Sequence, residues 1–188
     1  MKNALILHGA DNNSQGNWFP WLKEELEKKG YTAWVPDLPN SDTPQLEDWS
    51  ATVFANHEWD WNEESIIIGH SAGATFTLRL LEKLPLGIKI NKAIMVAPFA
   101  NRGTKPEYFH YKDGLLEKPF AWNKIRSTCK HFYFVASTND PYQCGTDQSA
   151  ILHKELGGEF IIKPGQGHFN LGKSEEYKQF PFLLSLIS

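Results

Sequence analysis

Cysteine is scarce in this chain. Cys129 and Cys144 are the only two among 188 residues, and they form no Cys-x-x-Cys pair, so neither a disulfide framework nor a structural zinc site is indicated. Long apolar runs are missing too, since no stretch approaches the ~20 residues that cross a bilayer. The apolar run after Asn3 is four residues long, too short for the core of a signal peptide. Positive charge is not in excess. Nineteen Lys and Arg against 22 Asp and Glu leave a formal net charge of −3, which offers no basic field to nucleic acid or to an anionic membrane. Repeats, linkers and low-complexity segments are likewise absent. Together these gaps lead to the expectation of one cytoplasmic domain over residues 1–188. It is expected to act on a small-molecule substrate with no cofactor or metal; no protein partner is indicated.

What the chain has in quantity is apolar and aromatic surface. Apolar residues are 41% of the sequence and aromatic ones 13%, with seven tryptophans. That is ample for a single core, and part of the aromatic excess is expected to line a cleft.

Short apolar runs too brief for helices recur along the chain. Asn3–His8, Tyr31–Val35, Ile66–Ile68, Lys92–Val96, His131–Ala136 and Phe160–Ile162 read as six strands. Between them lie helical patterns at Phe19–Lys29, Gln45–Asn56, Ala72–Leu84 and Asp147–Leu156, with a last one at Ser174–Ile187 interrupted near Pro181. Asn17 stands where a helix cap is wanted, and Gly30 where a helix ends. Residues Ala97–Ile125 show no period but carry six aromatics, which argues for a functional loop rather than disorder. Strands of continuous apolar character alternating with helices imply a three-layer, doubly wound α/β architecture around a mostly parallel six-stranded sheet.

One stretch is more specific. Ser65 to Gly73 reads S-I-I-I-G-H-S-A-G, an apolar strand, a Gly-x-Ser-x-Gly turn and a helix-forming segment. That is the context in which a serine is pushed out on a strained elbow as a nucleophile. A bare Gly-x-Ser-x-Gly arises by chance in roughly one chain of this length in twenty, so other residues must support it.

They do so at the strand ends, where parallel α/β sheets hold their ligands. The residues just past the strands include His8-Gly9-Ala10, Asp37, Gly69-His70-Ser71, Asn139-Asp140 and Gly167-His168. A serine hydroxyl needs a base, and the base needs a group that fixes its tautomer. Ser71, Asp140 and His168 fall in the chain order used by α/β-hydrolases, with Asp147 as the second choice for the acid. Acyl transfer also needs N–H donors for a developing oxyanion. Ala72, directly after the serine, and Ala10, in the loop after the first strand, are the candidates. His8, Trp18, Phe99 and Tyr142 are candidate pocket residues, although His8 also reads as a brace for its own loop. His70 reads as a packing residue of the elbow.

The chain also resembles a known family. His8-Gly9, Trp18-Phe19-Pro20-Trp21-Leu22, Pro36-Asp37-Leu38-Pro39-Asn40, Gly69-His70-Ser71-Ala72-Gly73, Asn139-Asp140-Pro141-Tyr142 and Gly167-His168 are similar to the small serine hydrolases related to retinoblastoma-binding protein 9 and its bacterial counterparts of the YdeN type. The resemblance runs in order over nearly the whole chain. It implies a reduced α/β-hydrolase fold without a large lid domain, the triad Ser71, Asp140 and His168, and esterase-like or amidase-like hydrolysis of small substrates. The Leu-x-Cys-x-Glu pattern tied to retinoblastoma-protein binding is absent at both cysteines, so that partner is not carried over. The leading expectation is a serine hydrolase of small carboxylic esters, with amides and thioesters in the same chemical range. The alternative is a non-catalytic protein- or ligand-binding module on a hydrolase fold. Dehalogenation would want an aspartate where Ser71 stands.

Overall fold

In the computed structural model, which describes residues 1–57 and 59–187, the apolar runs become six strands: β1 (Asn3–Leu7), β2 (Thr32–Trp34), β3 (Ile66–His70), β4 (Ile90–Val96), β5 (Cys129–Ser137) and β6 (Glu159–Lys163). They form one sheet in the order β2-β1-β3-β4-β5-β6, and every neighbouring pair is parallel. The neighbouring strands β1 and β3 are buried at every position. Sandwiched between helical layers, they have no wet face, which is why their sequences do not alternate.

Among the described residues six α-helices cover the sheet: α1 (Phe19–Lys28), α2 (Leu46–Phe54), α3 (Ala72–Lys83), α4 (Trp122–Thr128), α5 (Thr146–Leu156) and α6 (Phe182–Ile187). The chain runs outward from β1 to β2, then reverses past β1 to β3 and continues to β6. With right-handed crossovers this reversal puts α1 on one face and α2 to α5 on the other. The packing agrees: α3 lies against α2 and α4, and α4 against α5. On the first face Trp18, at the start of α1, meets Phe180, just before α6, at 6.0 Å.

Three details depart from the sequence reading. Asn17 does not cap α1; its Oδ1 accepts from Leu171 N at 3.2 Å. The expected helix over Ser174–Ile187 divides into a 3₁₀ turn at Glu175–Lys178 and α6, because Pro181 cannot donate a helical hydrogen bond. The stretch Ala97–Ile125 contains more regular structure than its aperiodicity suggests: 3₁₀ turns at Pro106–Tyr111 and Asp113–Leu115, then the start of α4. Elements this short bury too few residues to leave a period.

Arg79 of α3 fastens this stretch to the core. It is 2% exposed, and its Nε donates to Leu115 O at 2.8 Å while Nη2 donates to Lys118 O. Its guanidinium lies 3.9 Å from the Phe120 ring centroid, and Nη1 pairs with Glu82 at 2.9 Å. A buried cation is retained only where its donors are matched in this way.

The reversal of direction between β1 and β3 leaves a crevice outside their carboxyl ends, where no connection can cross. The loop Gly9-Ala10 leaves β1 there, and Ser71 leaves β3 beside it.

Candidate active site

Ser71 adopts φ 55° and ψ −121°, a region that costs a non-glycine residue of order 1–3 kcal/mol and persists only when its surroundings hold it. Two sets of backbone hydrogen bonds do so. Ser71 N donates to Val96 O at 2.8 Å on β4, and Ser71 O accepts from Ala74 N at 3.0 Å, opening α3. The turn also needs close backbone approach. A Cβ on Gly73 would stand 2.3 Å from His8 O and 2.5 Å from Leu7 O, so only glycine lets α3 sit on the end of β1. Gly9 works from the other side: its Cβ would stand 2.9 Å from Ser71 Cβ and 3.4 Å from Ser71 Oγ. The loop after β1 therefore passes directly against the serine.

His168 sits in the loop after β6 and is 6% exposed. Its Nδ1 meets Asp140 Oδ2 at 2.6 Å, and with a carboxylate as acceptor the nitrogen is the donor. That leaves Nε2 with the free lone pair. Asp140 is held in turn, since its Oδ1 accepts from Tyr142 N at 2.8 Å and from Cys144 N at 3.3 Å. Burial pushes the Asp140 pKa up, but the hydrogen bond and charge of His168 and the two N–H donors outweigh it, so the carboxyl rests below its ordinary 3.8. Asp147, the second choice from sequence, is exposed and accepts from Gln148 Nε2 at 3.2 Å. Asp140 is the aspartate that meets His168.

The histidine loop is fastened from three directions. From the end of β5 and the loop after it, Ser137 Oγ accepts from Gln166 N at 3.0 Å and Asn139 Oδ1 from Gly167 N at 2.7 Å. From α1, Trp18 Nε1 donates to Phe169 O at 3.1 Å. From the elbow itself, His70 Nε2 lies 2.7 Å from His168 O. A carbonyl only accepts, so His70 carries its proton on Nε2, leaving Nδ1 buried without a partner. Burial and then the neighbouring His168 push the His70 pKa down to about 3, so this ring is a neutral strut between serine and histidine.

A cleft of about 210 Å³ opens over these groups, lined by Gly9, Ala10, Ser71, Ala72, Phe99 and His168 among others. Of the sequence-nominated pocket residues, Phe99 and Tyr142 line it, and Tyr142 stacks edge-on to His168 at 4.7 Å. His8 and Trp18 do not. Both are fully buried, and each spends its polar atoms on the scaffold. His8 Nδ1 contacts Gly9 O at 2.8 Å and its Nε2 accepts from Leu38 N at 2.9 Å, bracing the loop after β1. Trp18 is the clamp on Phe169 just described. Ala10 and Ala72, the nominated oxyanion donors, border the cleft, and Ala72 heads α3, where the first N–H groups have no carbonyl ahead of them in the helix.

The 97–121 stretch covers the cleft, with two consecutive residues as its pins. Tyr111 OH donates to Asp11 Oδ2, in the loop after β1, and that bond pushes the phenol pKa up to about 12. Lys112 is 2% exposed, and its Nζ donates to Tyr142 O at 3.1 Å and Arg102 O at 3.3 Å, tying the cover to the loop of Asp140. Sequence reasoning named the aromatics of this stretch but missed Asp11, Lys112, Cys144 and Asn170, which also line the cleft. Their only signal was a position after a strand or inside the aperiodic stretch.

Chemically, a strained serine, a histidine whose second nitrogen is held by a buried carboxylate, and a helix N-terminus on one cleft are the parts acyl transfer needs. A family model described as serine hydrolase matches residues 4–188. The YdeN protein of Bacillus subtilis (strain 168) is 30% identical over 172 residues, covering 87% of this chain and 88% of that one. A protein of Rattus norvegicus named serine hydrolase RBBP9 is 27% identical over 163 residues, 86% of this chain and 82% of its own. The crystal structure of the B. subtilis ydeN gene product superposes with a TM-score of 0.89 at 28% identity, covering 100% of this chain and 97% of that one. Est1E from Butyrivibrio proteoclasticus matches at a TM-score of 0.68 and 14% identity, covering 98% and 84%, a likeness of fold alone. The fold is a reduced α/β-hydrolase fold.

Proposed function

The chain belongs to the serine hydrolase family, and on that footing we propose that it hydrolyses small carboxylic esters through an acyl-enzyme on Ser71. His168 Nε2 takes the Ser71 proton as Oγ attacks the carbonyl, and Asp140 holds the ring's other N–H and stabilises the imidazolium. The negative charge moving onto the former carbonyl oxygen is received by the N–H groups of Ala10 and Ala72. Collapse of that intermediate expels the alcohol, which leaves with the proton from His168. Water then enters and attacks the acyl carbon as His168 takes its proton, and collapse of that second intermediate releases the acid while His168 returns the proton to Ser71 Oγ. The reading extends to amides and thioesters, whose carbonyls pass through the same intermediate.

One observation carries this reading: His168, whose Nδ1 is held by buried Asp140 at 2.6 Å, lines the same cleft as Ser71, which sits at φ 55°. A scaffold kept only for binding has no need of a strained serine beside an oriented histidine. The cleft of about 210 Å³ lies below the ~300 Å³ at which drug-sized pockets begin, and with Tyr108, Tyr111 and Tyr142 over it, it suits short acyl groups. A fluorophosphonate probe tests the chemistry directly. The protein is expected to be labelled, and Ser71→Ala is expected to abolish labelling. Unlabelled native protein, or equal labelling of the variant, would return the chain to the reading of a binding module. Among p-nitrophenyl esters, kcat/KM is expected to be highest for acetate to butyrate and to fall by about tenfold or more at octanoate, a drop on the scale of ~1.4 kcal/mol.

A further inference from the structure

We propose that Asp140, Cys144 and His168 form a binding site for a thiophilic divalent cation such as Zn²⁺, and that occupying it switches the hydrolase off. The three side chains come from two loops, and their ligand atoms lie within 4.8 Å of one another. Carboxylate oxygen, thiolate sulfur and imidazole nitrogen are the donor set that zinc takes, with a fourth position left for water. Cys144 lines the cleft wall, so a cation arriving by the substrate's route reaches it. The thiol's hydrogen bond is the weak one an S–H makes, to Tyr142 O at 3.6 Å, and it is given up when the thiol proton leaves. The loop is also stiff enough to present it, because Cys144 N already donates to Asp140 Oδ1 at 3.3 Å and Lys112 holds the neighbouring Tyr142 carbonyl.

Binding replaces the S–H bond with a sulfur–zinc bond and sends the thiol proton to solvent. The consequence for turnover rests on the proposed role of His168 and follows whichever ring nitrogen coordinates. At Nε2 the cation takes the lone pair that would accept the serine proton. At Nδ1 it displaces the proton from between His168 and Asp140, and that proton moves to Nε2, where it occupies the same lone pair. In every case the base is lost without any change in fold. Cys129, the other free thiol, is buried at the start of β5, at the opposite end of the sheet, and serves as the internal control.

The experiment is a Zn²⁺ titration of ester turnover in the native protein and in Cys144→Ser, Cys144→Ala and Cys129→Ala, each referred to its own metal-free rate. The inhibitory concentration is expected to rise by about tenfold or more in both Cys144 variants and to stay put in Cys129→Ala, with Mg²⁺ inert throughout. Binding is read separately, and independently of hydrolysis, by adding Co²⁺ and recording thiolate-to-cobalt charge-transfer absorption. It is expected in native protein and in Cys129→Ala, and absent from Cys144→Ala. Native protein that gives no such absorption, or a folded Cys144→Ala as zinc-sensitive as the native chain, would overturn the proposal.

Discussion

Asp140→Asn is the substitution whose outcome the geometry determines most closely. The two carboxylate oxygens do different work: Oδ1 accepts from the backbone N–H of Tyr142 and Cys144, and Oδ2 faces His168 Nδ1. An asparagine entering this site must place its oxygen where the two N–H donors are, because an amide nitrogen there would confront them donor to donor. Its NH₂ then points at His168 Nδ1. Facing a donor, Nδ1 must become the acceptor, and the ring proton moves to Nε2, where it blocks uptake of the Ser71 proton. The corresponding change in a serine protease lowers kcat ~10⁴-fold through the same tautomer error, which at ~1.36 kcal/mol per factor of ten is about 5.4 kcal/mol of barrier. The loss is expected in kcat rather than KM, since the Asp140 side chain is fully buried and does not border the cleft. Stability is expected to fall only modestly, because both backbone donors keep an acceptor while the hydrogen bonds that outweigh burial of the Asp140 charge weaken. Steady-state hydrolysis of p-nitrophenyl butyrate and a thermal melt measure both. A folded Asp140→Asn within about tenfold of native kcat would refute the reasoning, as would a ~10⁴-fold loss in Asp147→Asn.

Other expectations follow from the scaffold. Gly73→Ala drives a Cβ to 2.3 Å from His8 O, in the backbone that continues β1, where nothing can move aside. Urea unfolding is expected to show about 3 kcal/mol or more of destabilisation, and a native midpoint would contradict the close approach. His8 is buried, and burial lowers its pKa below 6.5 although the Gly9 carbonyl and Asp37 pull it upward. The unfolded chain therefore takes up a proton that the folded chain refuses. Its contribution is intact above 6.5 and is lost as pH falls toward the folded value. The melting temperature is expected to drop on acidification from about pH 7 to about pH 5, less steeply in His8→Gln; parallel curves would show that His8 is not the group.

Much of the fold was written locally. Continuous runs such as Ile66–Ile68 can only be strands with both faces covered, and that forces the parallel, helix-sandwiched sheet. Gly69, Ser71 and Gly73 marked the elbow because a strand-to-helix turn this tight tolerates few residues, and the order of residues after the strands placed serine, aspartate and histidine on one edge. Sequence could go no further than the edge. Which aspartate meets His168, whether Trp18 faces the cleft or clamps Phe169, and whether Cys144 stands beside the histidine are settled by contacts between residues 24 to 151 positions apart. Periodicity carries no information over such separations. The short turns of the cover were illegible for a related reason: pinned by Arg79, Tyr111 and Lys112 to other elements, they take their conformation from those anchors rather than from their own residues. Local pattern determined the sheet, its elbow and the candidate groups; tertiary packing alone decided which of those groups face one another, because hydrogen-bond geometry exists only once distant loops have been brought together.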